Sequence, residues 1–316
     1  MKDKASLVSV PPATSLDEAL ALMQSRNVLS LPVRSASFEE KKVVSAEDFE
    51  GIVDILDILV LVAYGNFRID DKESSPEQVS GQKLNELKVS DLIGAERELS
   101  TGFWDNGITI VSASRNLFDT LDCFVVGERR VLVDLNESLY GSGFRVLSQL
   151  DVLQYLVAQG KSALESIASR SLSECGLLSA DSFNELCIAS QDTSTLSAYR
   201  KMITWKGDAV AITNASGVLV GTLSPTDLRV LWSKTSSLEK CLVSLEEFMK
   251  FLYGSFRTPV TVGPESTLFE AMERCVAAKI HRVWATDSSG KPIACIRTQD
   301  MLIKFSGADH KRKSMS

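Results

Sequence analysis

Residues 267–270, Thr-Leu-Phe-Glu, and residues 294–300, Ala-Cys-Ile-Arg-Thr-Gln-Asp, carry the pattern that decides the fold. In the first stretch a polar residue suited to cap a helix precedes a leucine, and in the second an apolar run leads to an aspartate. The same pair of stretches occurs four times, with 42, 35, 32 and 33 positions between cap and aspartate. The pairs are Ser15/Asp57, Asn116/Asp151, Thr195/Asp227 and Thr267/Asp300. Repetition at such regular spacing predicts four copies of one structural unit.

The fourth copy shows the elements that each unit should contain. Residues 259–262 are apolar and predict a strand, and Thr267 with Glu270 predicts a helix start because each side chain can pair with an exposed amide. Two further strands are expected at 281–285 and 292–296, since Asp-Ser-Ser-Gly between them is typical of a hairpin turn. The aspartate then begins a second helix. The predicted order is strand, helix, strand, strand, helix, which is an α/β (α+β) fold.

A repeat of this order, with an aspartate at the head of its last helix, resembles the CBS domain. Four copies in a row resemble two Bateman modules, each a pair of CBS repeats, and the resemblance implies a flat, pseudo-symmetric disc. More narrowly, the chain is similar to the γ subunit of the AMP-activated or sucrose-non-fermenting type of protein kinase. Three stretches carry that similarity: 170–176 (Arg-Ser-Leu-Ser-Glu-Cys-Gly), 224–227 (Ser-Pro-Thr-Asp) and 280–283 (Ile-His-Arg-Val).

Breaks in the pattern place the domain boundaries. The predicted CBS repeats are residues 6–63, 87–158, 170–232 and 255–307. The first repeat contains a polar hairpin insertion at 35–50, which we interpret as a solvated loop. The predicted connections are a linker at 64–86, an inter-module linker at 159–169, a helical linker at 233–254 and a tail at 308–316. Leu245, Phe248, Met249 and Leu252 recur at helical spacing, so the third connection should be a packed amphipathic helix.

Composition excludes several classes of function. The 316 residues carry a formal net charge of −7, which argues against general nucleic-acid binding because that depends on cationic surfaces. No apolar run approaches the roughly 20 residues that span a bilayer, so no membrane association is expected. The six cysteines lack the spacing of metal ligands, and we expect them to be reduced. No nucleophile elbow or phosphate-binding glycine loop is present, which predicts a non-enzyme with neither catalytic residues nor a catalytic cofactor.

The four aspartates are the candidate binding residues. A carboxylate in the first turn of a helix can accept hydrogen bonds from a vicinal diol such as that of ribose, and neighbouring amides favour phosphate. The resemblance implies that Asp57, Asp151, Asp227 and Asp300 hold the ribose of AMP, ADP or ATP. The alternative is that each aspartate only caps its helix, a role worth about 0.5–2 kcal/mol.

The resemblance also places a residue near the phosphates three positions before each aspartate. Ser148 and Ser224 supply the expected hydroxyl. Arg297 adds a cation that suits phosphate. Asp54 adds a carboxylate that repels phosphate unless Mg²⁺ or a basic side chain intervenes.

Further basic residues should point toward a shared central channel, if the resemblance holds. They are Arg129 and Arg130 in the second repeat, His281 and Arg282 in the fourth, and Lys206 as a weaker candidate in the third. The alternative is that they are surface charges. The third and fourth repeats are thus the best-supported site.

The predicted function is a regulatory, adenine-nucleotide-sensing protein of the cytoplasm, and also of the nucleus. The expected partners are the catalytic and scaffolding subunits of a protein kinase. Two alternatives stay open. One is a free-standing CBS protein with another partner, such as the phosphatase-regulating CBS proteins of fungi or the plant γ-like proteins outside the kinase. The other is a structural scaffold with empty clefts, which Asp54, Leu29 and Leu150 would favour because they replace expected binding residues.

Overall fold

The structure is a computed structural model that describes residues 7–35, 46–64, 86–95, 109–135, 143–178, 186–235 and 238–305. Most of the predicted insertion (36–45), most of the first linker (65–85) and the tail (308–316) lie outside the described residues. The insertion ends earlier than we predicted, because residues 46–48 form a 3₁₀ turn and Phe49 already begins a strand.

The elements of the first half follow in chain order. Repeat 1 contains α1 (Leu16–Ser25), β1 (Ser30–Arg34), β2 (Phe49–Asp54) and α2 (Ile55–Tyr64). A short helix, α3 (Val89–Ala95), lies at the start of the predicted second repeat and precedes its first strand. Repeat 2 contains β3 (Ile110–Ser112), α4 (Leu117–Val125), β4 (Arg130–Asp134), β5 (Phe144–Ser148) and α5 (Gln149–Gln159). A 3₁₀ turn (Lys161–Leu164) and α6 (Glu165–Ala168) occupy the predicted inter-module linker.

The second half repeats the same plan. Repeat 3 contains β6 (Ile188–Ser190), α7 (Thr195–Thr204), β7 (Val210–Thr213), β8 (Leu219–Leu223) and α8 (Pro225–Lys234). A 3₁₀ turn (Glu239–Cys241) and α9 (Leu245–Tyr253) connect it to repeat 4. Repeat 4 contains β9 (Thr261–Val262), α10 (Leu268–Ala278), β10 (Arg282–Thr286), β11 (Pro292–Arg297) and α11 (Thr298–Ile303). The predicted strand–helix–strand–strand–helix order and the mixed α/β class are confirmed.

Sheet topology is the same in repeats 2, 3 and 4. The middle strand pairs in parallel with the strand before the first helix and antiparallel with its hairpin partner, as in β3-β4-β5. In repeat 1 a single parallel bridge between Val10 and Val33 takes the place of the first strand. In repeat 4 the hairpin turns where predicted, because Asp287 Oδ1 accepts hydrogen bonds from the amides of Ser289 (2.8 Å) and Lys291 (2.9 Å).

The caps of the first helices fix the alignment of the repeats. Ser15 with Glu18 and Thr267 with Glu270 form the predicted capping boxes. In repeat 3 the predicted cap was wrong by one residue. Ser194 accepts the hydrogen bond from the amide of Ser197 (3.3 Å), whereas Thr195 is the first helical residue and is buried. With Ser194 as cap, the distance to Asp227 becomes 33 positions, the same as from Thr267 to Asp300.

The four repeats form two compact units. The 1–3 unit comprises Val8–Ile108 and Cys187–Thr258, and the 2–4 unit contains Thr109–Leu186 and Pro259–Ser316. Helix–helix packing explains this grouping, because α1 and α2 pack against α7 and α8, whereas α4 and α5 pack against α10 and α11. Each compact unit therefore combines two repeats that are not consecutive in the chain, whereas the modules we predicted follow chain order.

In three repeats, the backbone at the start of the first helix forms a hydrogen bond with a segment that lies outside that repeat. The amide of Leu16 donates to Leu87 O (2.9 Å), that of Thr195 to Val243 O (2.9 Å) and that of Leu268 to Arg170 O (2.9 Å). The segment preceding repeat 4 thus pairs with repeat 3, and the segment preceding repeat 3 pairs with repeat 4. This exchange satisfies amides that a helix start leaves without an intrahelical acceptor.

Two apolar cores match the two units. In the 1–3 unit, α9 buries Leu245, Phe248, Met249 and Leu252, so the second half of the connection between repeats 3 and 4 is a packed amphipathic helix. Each such side chain contributes about 1.5–3 kcal/mol when fully buried. The 2–4 unit has its own core around Phe124, Leu153, Met272 and Val283. All six cysteines are free thiols. Among the described residues, no helix combines the length and apolarity that a transmembrane span requires.

Candidate functional site

The second helix of each repeat begins with the aspartate that the sequence singled out. In all four repeats the carboxylate accepts a hydrogen bond from the backbone amide three residues earlier. This is the capping geometry, which stabilises the helix start. Capping is therefore common to the four aspartates, and what distinguishes them is the set of other groups around each carboxylate.

In repeat 1 two carboxylates share the helix start. Asp57 is 6% exposed, and its Oδ2 accepts from the amide of Asp54 at 2.5 Å. Asp54 Oδ1 accepts from the amide of Leu56 at 3.0 Å. The extra carboxylate predicted to repel phosphate thus serves as a second cap. It still adds negative charge at a position where the resemblance expected a hydroxyl.

In repeat 3 both oxygens of Asp227 have side-chain donors. Oδ2 accepts from the amide of Ser224 (2.6 Å) and from its Oγ (3.1 Å), and the hydroxyl of Tyr253 donates to Oδ1 at 2.7 Å. Asp227 is only 5% exposed. Burial raises the pKa of its carboxyl, and the hydrogen bonds from Tyr253 and Ser224 and the charge of Arg257 only partly offset that effect. Burial and the neighbouring carboxylate raise the pKa of Tyr253 as well.

In repeat 2 the site matches the expected hydroxyl–carboxylate pair. Ser148 donates to Asp151 Oδ2 through its amide (2.8 Å) and its Oγ (2.5 Å). Asp151 is half-buried. The predicted ribose residue and the predicted phosphate residue of this repeat are therefore in direct contact at the start of α5.

In repeat 4 the two predicted ligand-binding residues bind each other. Arg297 Nε donates to Asp300 Oδ2 at 3.0 Å, and Nη2 donates to Oδ1 at 2.9 Å, which is a bidentate ion pair. The Arg297 side chain is 45% exposed and that of Asp300 is 19% exposed. Both groups are accessible, and a ligand diol would share the carboxylate with the guanidinium.

The two units differ in charge at the starts of their middle strands. In each repeat a residue with positive φ lies between the first helix and the middle strand. These residues are Asn27, Gly127, Lys206 and Lys279. The second and third residues after each of them are Leu29 and Ser30, Arg129 and Arg130, Asp208 and Ala209, and His281 and Arg282. At these positions the 2–4 unit carries four basic side chains and the 1–3 unit carries none.

Lys206, the weaker candidate of repeat 3, does not occupy the position of His281. It corresponds to Lys279, adopts the left-handed conformation that follows a helix (φ 52°), and is exposed. The residue of repeat 3 that corresponds to His281 is Asp208, an acidic side chain. The sequence signal that could have shown this is the distance to the following strand, since Lys206 precedes β7 by four positions and His281 precedes β10 by one.

Strand register places one arginine of each basic pair beside the predicted phosphate residue of its repeat. Arg130 lies directly opposite Ser148, and Arg282 lies directly opposite Arg297. Opposite residues of an antiparallel pair have Cβ atoms about 4.5–5.5 Å apart. In repeat 1 the corresponding pair is Ser30 and Asp54. The pairing of a cation with the predicted phosphate position therefore occurs in repeats 2 and 4 and is absent from repeat 1.

One polar contact between repeats 2 and 4 was not predicted from the sequence. Thr298 Oγ1 donates to Gln149 Oε1 at 2.9 Å, and Gln149 Nε2 donates to Glu128 O at 3.0 Å. The amide of Thr298 donates to His281 O at 2.9 Å. These bonds connect the residues just before Arg129 and Arg282, so the two cationic strand starts of the 2–4 unit belong to one hydrogen-bonded network.

The 1–3 unit has a different contact at the related place. Arg229 of α8 is 8% exposed, and it donates to Val28 O (2.9 Å) and Asn27 Oδ1 (3.1 Å), just before β1. The first residues of α2 and α8, Ile55 and Pro225, are buried and apolar. At the starts of their second helices, repeats 2 and 4 thus contact each other through Thr298 and Gln149, whereas repeats 1 and 3 have apolar residues there and a contact from the buried Arg229.

No group of three or more His, Cys, Asp or Glu side chains arranged to hold a metal ion occurs in the parts of the chain that the structure describes.

Comparison with known proteins shows which proteins the chain is similar to. A family model for the CBS domain matches residues 3–64 and 255–307. The chain is 25% identical to the SNF1-related protein kinase regulatory subunit gamma-like PV42a of Arabidopsis thaliana, over 90% of this chain and 87% of that protein. It is 26% identical to Protein sds23 of Neosartorya fischeri, over 88% of this chain. The chain spans about half the length of that fungal relative, 52% of it.

Solved structures show the same fold over nearly the whole chain. A protein of Methanocaldococcus jannaschii, proposed as an archaeal homologue of g-AMPK, superposes with a TM-score of 0.69 at 15% sequence identity. The superposition covers 96% of this chain and 98% of the archaeal chain. The family model thus matches the first and last repeats, and the archaeal structure shares the fold across nearly the whole chain.

Proposed function

We propose that this chain is a regulatory CBS protein that senses adenine nucleotides through its 2–4 unit. The observation that carries the proposal is the separation of charge between the units. Arg130 and Arg282 begin the middle strands of repeats 2 and 4, and Arg129 and His281 directly precede them, whereas the same positions in repeats 1 and 3 hold no basic residue. Arg130 and Arg282 also lie opposite Ser148 and Arg297 in their hairpins.

Such an arrangement suits a ligand that carries phosphate at one end and a diol at the other. Guanidinium groups bind phosphate oxygens bidentately, and the nearby carboxylates of Asp151 and Asp300 can accept from sugar hydroxyls. AMP, ADP and ATP share adenine and ribose and differ in the number of phosphates. Each would therefore meet a different number of these four basic side chains. A ligand shifts a conformational equilibrium only by its differential affinity for the two states. Nucleotides that contact different numbers of basic side chains would therefore favour different conformations, and a partner protein could bind one conformation selectively.

The names of relatives suggest the first partner to test. PV42a and a second Arabidopsis thaliana protein, PV42b, are named as gamma-like regulatory subunits of an SNF1-related protein kinase. We propose the catalytic and scaffolding subunits of such a kinase as partners. Co-purification from cells tests this directly. Recovery of the chain with a kinase heterotrimer supports it, and recovery with a different protein alone favours the alternative below.

A free-standing regulatory protein is the second candidate. Fungal proteins named sds23 match 88% of this chain at similar identity, so the same repeat arrangement occurs in proteins that are not named as kinase subunits. The third alternative, a scaffold without ligand, is favoured by Asp54 and by the Tyr253–Asp227 contact, since both occupy helix starts in the 1–3 unit.

Calorimetric titration with AMP, ADP, ATP and S-adenosylmethionine distinguishes the scaffold from a nucleotide sensor. Thermal stability gives an independent reading, because a ligand at 100 times its Kd stabilises the folded chain by about 2.7 kcal/mol. Absence of both heat and stabilisation with all four ligands would exclude the proposal.

The Asp300→Ala variant locates the site. Losing a charged acceptor for the diol should cost about 1.5–3 kcal/mol, a reduction in AMP affinity of about tenfold or more. Asp57→Ala is the matched control, because Asp57 caps the corresponding helix in the unit that has no basic residue at the starts of its middle strands. Equal AMP affinity in Asp300→Ala and the unmodified chain would contradict the assignment to repeat 4.

A further inference from the structure

Residues 253–257 of the 1–3 unit pack onto the predicted ribose residue of repeat 3. Tyr253 is the last residue of α9, and its hydroxyl donates to Asp227 Oδ1 at 2.7 Å. Ser224 supplies the donors to the other oxygen through its amide and its hydroxyl. Both oxygens of this buried carboxylate therefore accept hydrogen bonds from the chain itself.

The residues after Tyr253 hold it in place. Gly254 adopts a left-handed conformation (φ 83°) that ends α9 and turns the chain. Phe256 then lies against Gly221 of β8, so closely that a Cβ on Gly221 would be 2.8 Å from the Phe256 ring. The guanidinium carbon of Arg257 lies 5.2 Å from the centre of the Tyr253 ring. Arg257 thus contacts Tyr253 directly, and Phe256 fixes the turn that follows the tyrosine against β8.

The length of α9 explains why repeat 3 has this contact. The segments that pair with the caps of repeats 1 and 4 include 86–95 and 170–178, and neither contains an aromatic residue. α9 pairs with the cap of repeat 3 and continues for nine residues to Tyr253. Its last turn brings a phenol hydroxyl to the carboxylate, in the role that a sugar hydroxyl would otherwise have.

We infer that Tyr253 is a built-in competitor that closes the ribose position of repeat 3 to nucleotides. A vicinal diol needs carboxylate oxygens that it can reach. Tyr253 and Ser224 already use both oxygens of Asp227, which is only 5% exposed, whereas the Asp300 side chain that pairs with Arg297 is 19% exposed. Repeat 3 therefore binds no nucleotide in the native chain, and Tyr253 determines this selectivity. The inference rests on the proposed function for the meaning of the aspartates, but its test gives a separate result.

The first test uses the conservative variant Asp227→Asn in the full chain. Calorimetry with AMP should give the same number of sites and a Kd within twofold of the unmodified protein, whereas Asp300→Ala weakens binding. A lower number of sites or a weaker Kd in Asp227→Asn would overturn the inference and leave the proposed function intact.

The second test removes the competitor. Tyr253→Ala should create one additional site for AMP and for adenosine, and the double variant Tyr253→Ala/Asp227→Asn should lose that site again. Gly221→Ala offers a second route, since the added methyl group displaces Phe256 and should also raise adenosine binding. A native chain that binds no AMP would refute the proposed function, yet a new Asp227-dependent site in Tyr253→Ala would still support the closure. Failure of folded Tyr253→Ala and Gly221→Ala to gain any site would refute it.

Discussion

The hydrogen bond between Thr298 and Gln149 is expected to stabilise the 2–4 unit by a measurable amount. Thr298 is 1% exposed and Gln149 is 9% exposed, so water cannot replace the bond when one partner is removed. Thr298→Val keeps the shape of the side chain but leaves Gln149 Oε1 without this donor. An unsatisfied buried polar group costs about 1–3 kcal/mol, and that is the expected loss in the free energy of unfolding.

A double-mutant cycle isolates the contact from other effects of each substitution. In the Thr298→Val background, Gln149→Met should cost less than it does alone, because the acceptor that lost its donor is also removed. The expected coupling energy is about 0.5–1.5 kcal/mol. Chemical denaturation followed by tryptophan fluorescence is a suitable assay, since Trp284 is buried in the same unit at 2% exposure.

Thr258→Val is the matched control, because Thr258 is exposed and the change should stay within about 0.5 kcal/mol. Strictly additive costs for Thr298→Val and Gln149→Met would show that the two side chains do not act together. A cost for Thr298→Val no greater than that for Thr258→Val would also refute the reasoning.

Two further predictions concern the 1–3 unit. Arg229→Met should lower the free energy of unfolding by about 1.5–3 kcal/mol, because the change removes charged donors to Val28 O and Asn27 Oδ1. Chemical denaturation measures this loss, and Arg26→Met is the control because Arg26 is exposed. A loss in Arg229→Met no larger than that in Arg26→Met would contradict the prediction. Burial raises the pKa of Asp227, so the folded chain binds more protons than the unfolded chain just above the usual aspartate pKa, and the contribution of Asp227 to stability must fall as pH rises through that window. Denaturation at a series of pH values should show unmodified protein losing stability relative to Asp227→Asn over that range, and a constant difference would exclude a raised pKa.

The repeat architecture could be predicted from the sequence because its signals are local. Caps such as Ser15 and Thr267, the hairpin turn at Asp287 and the apolar stripe of α9 each depend on residues within a few positions of one another. The misassigned cap of repeat 3 shows the limit of local signals. Ser194 and Thr195 are both residues that cap helices, and the backbone pairing of Thr195 with Val243 fixes Ser194 as the cap.

The surroundings of the aspartates could not be predicted, because their partners are distant in sequence. Tyr253 reaches Asp227 from 26 positions away, and Gln149 and Thr298 are 149 positions apart. Arg297 illustrates a different difficulty. Its position three residues before Asp300 was recognised, but the sequence gives no reason to prefer a phosphate ligand over the adjacent carboxylate as its partner.

The most direct test of a nucleotide site in the 2–4 unit is calorimetric titration of AMP into two charge variants of the full chain. Arg282→Gln removes a cation opposite Arg297, and Lys206→Gln removes an exposed cation from the 1–3 unit. A lost charged contact to phosphate should weaken AMP binding by about tenfold or more in Arg282→Gln, while Lys206→Gln should bind like the unmodified chain. Equal Kd values for the two variants, or weaker binding only in Lys206→Gln, would contradict the assignment of phosphate recognition to repeats 2 and 4.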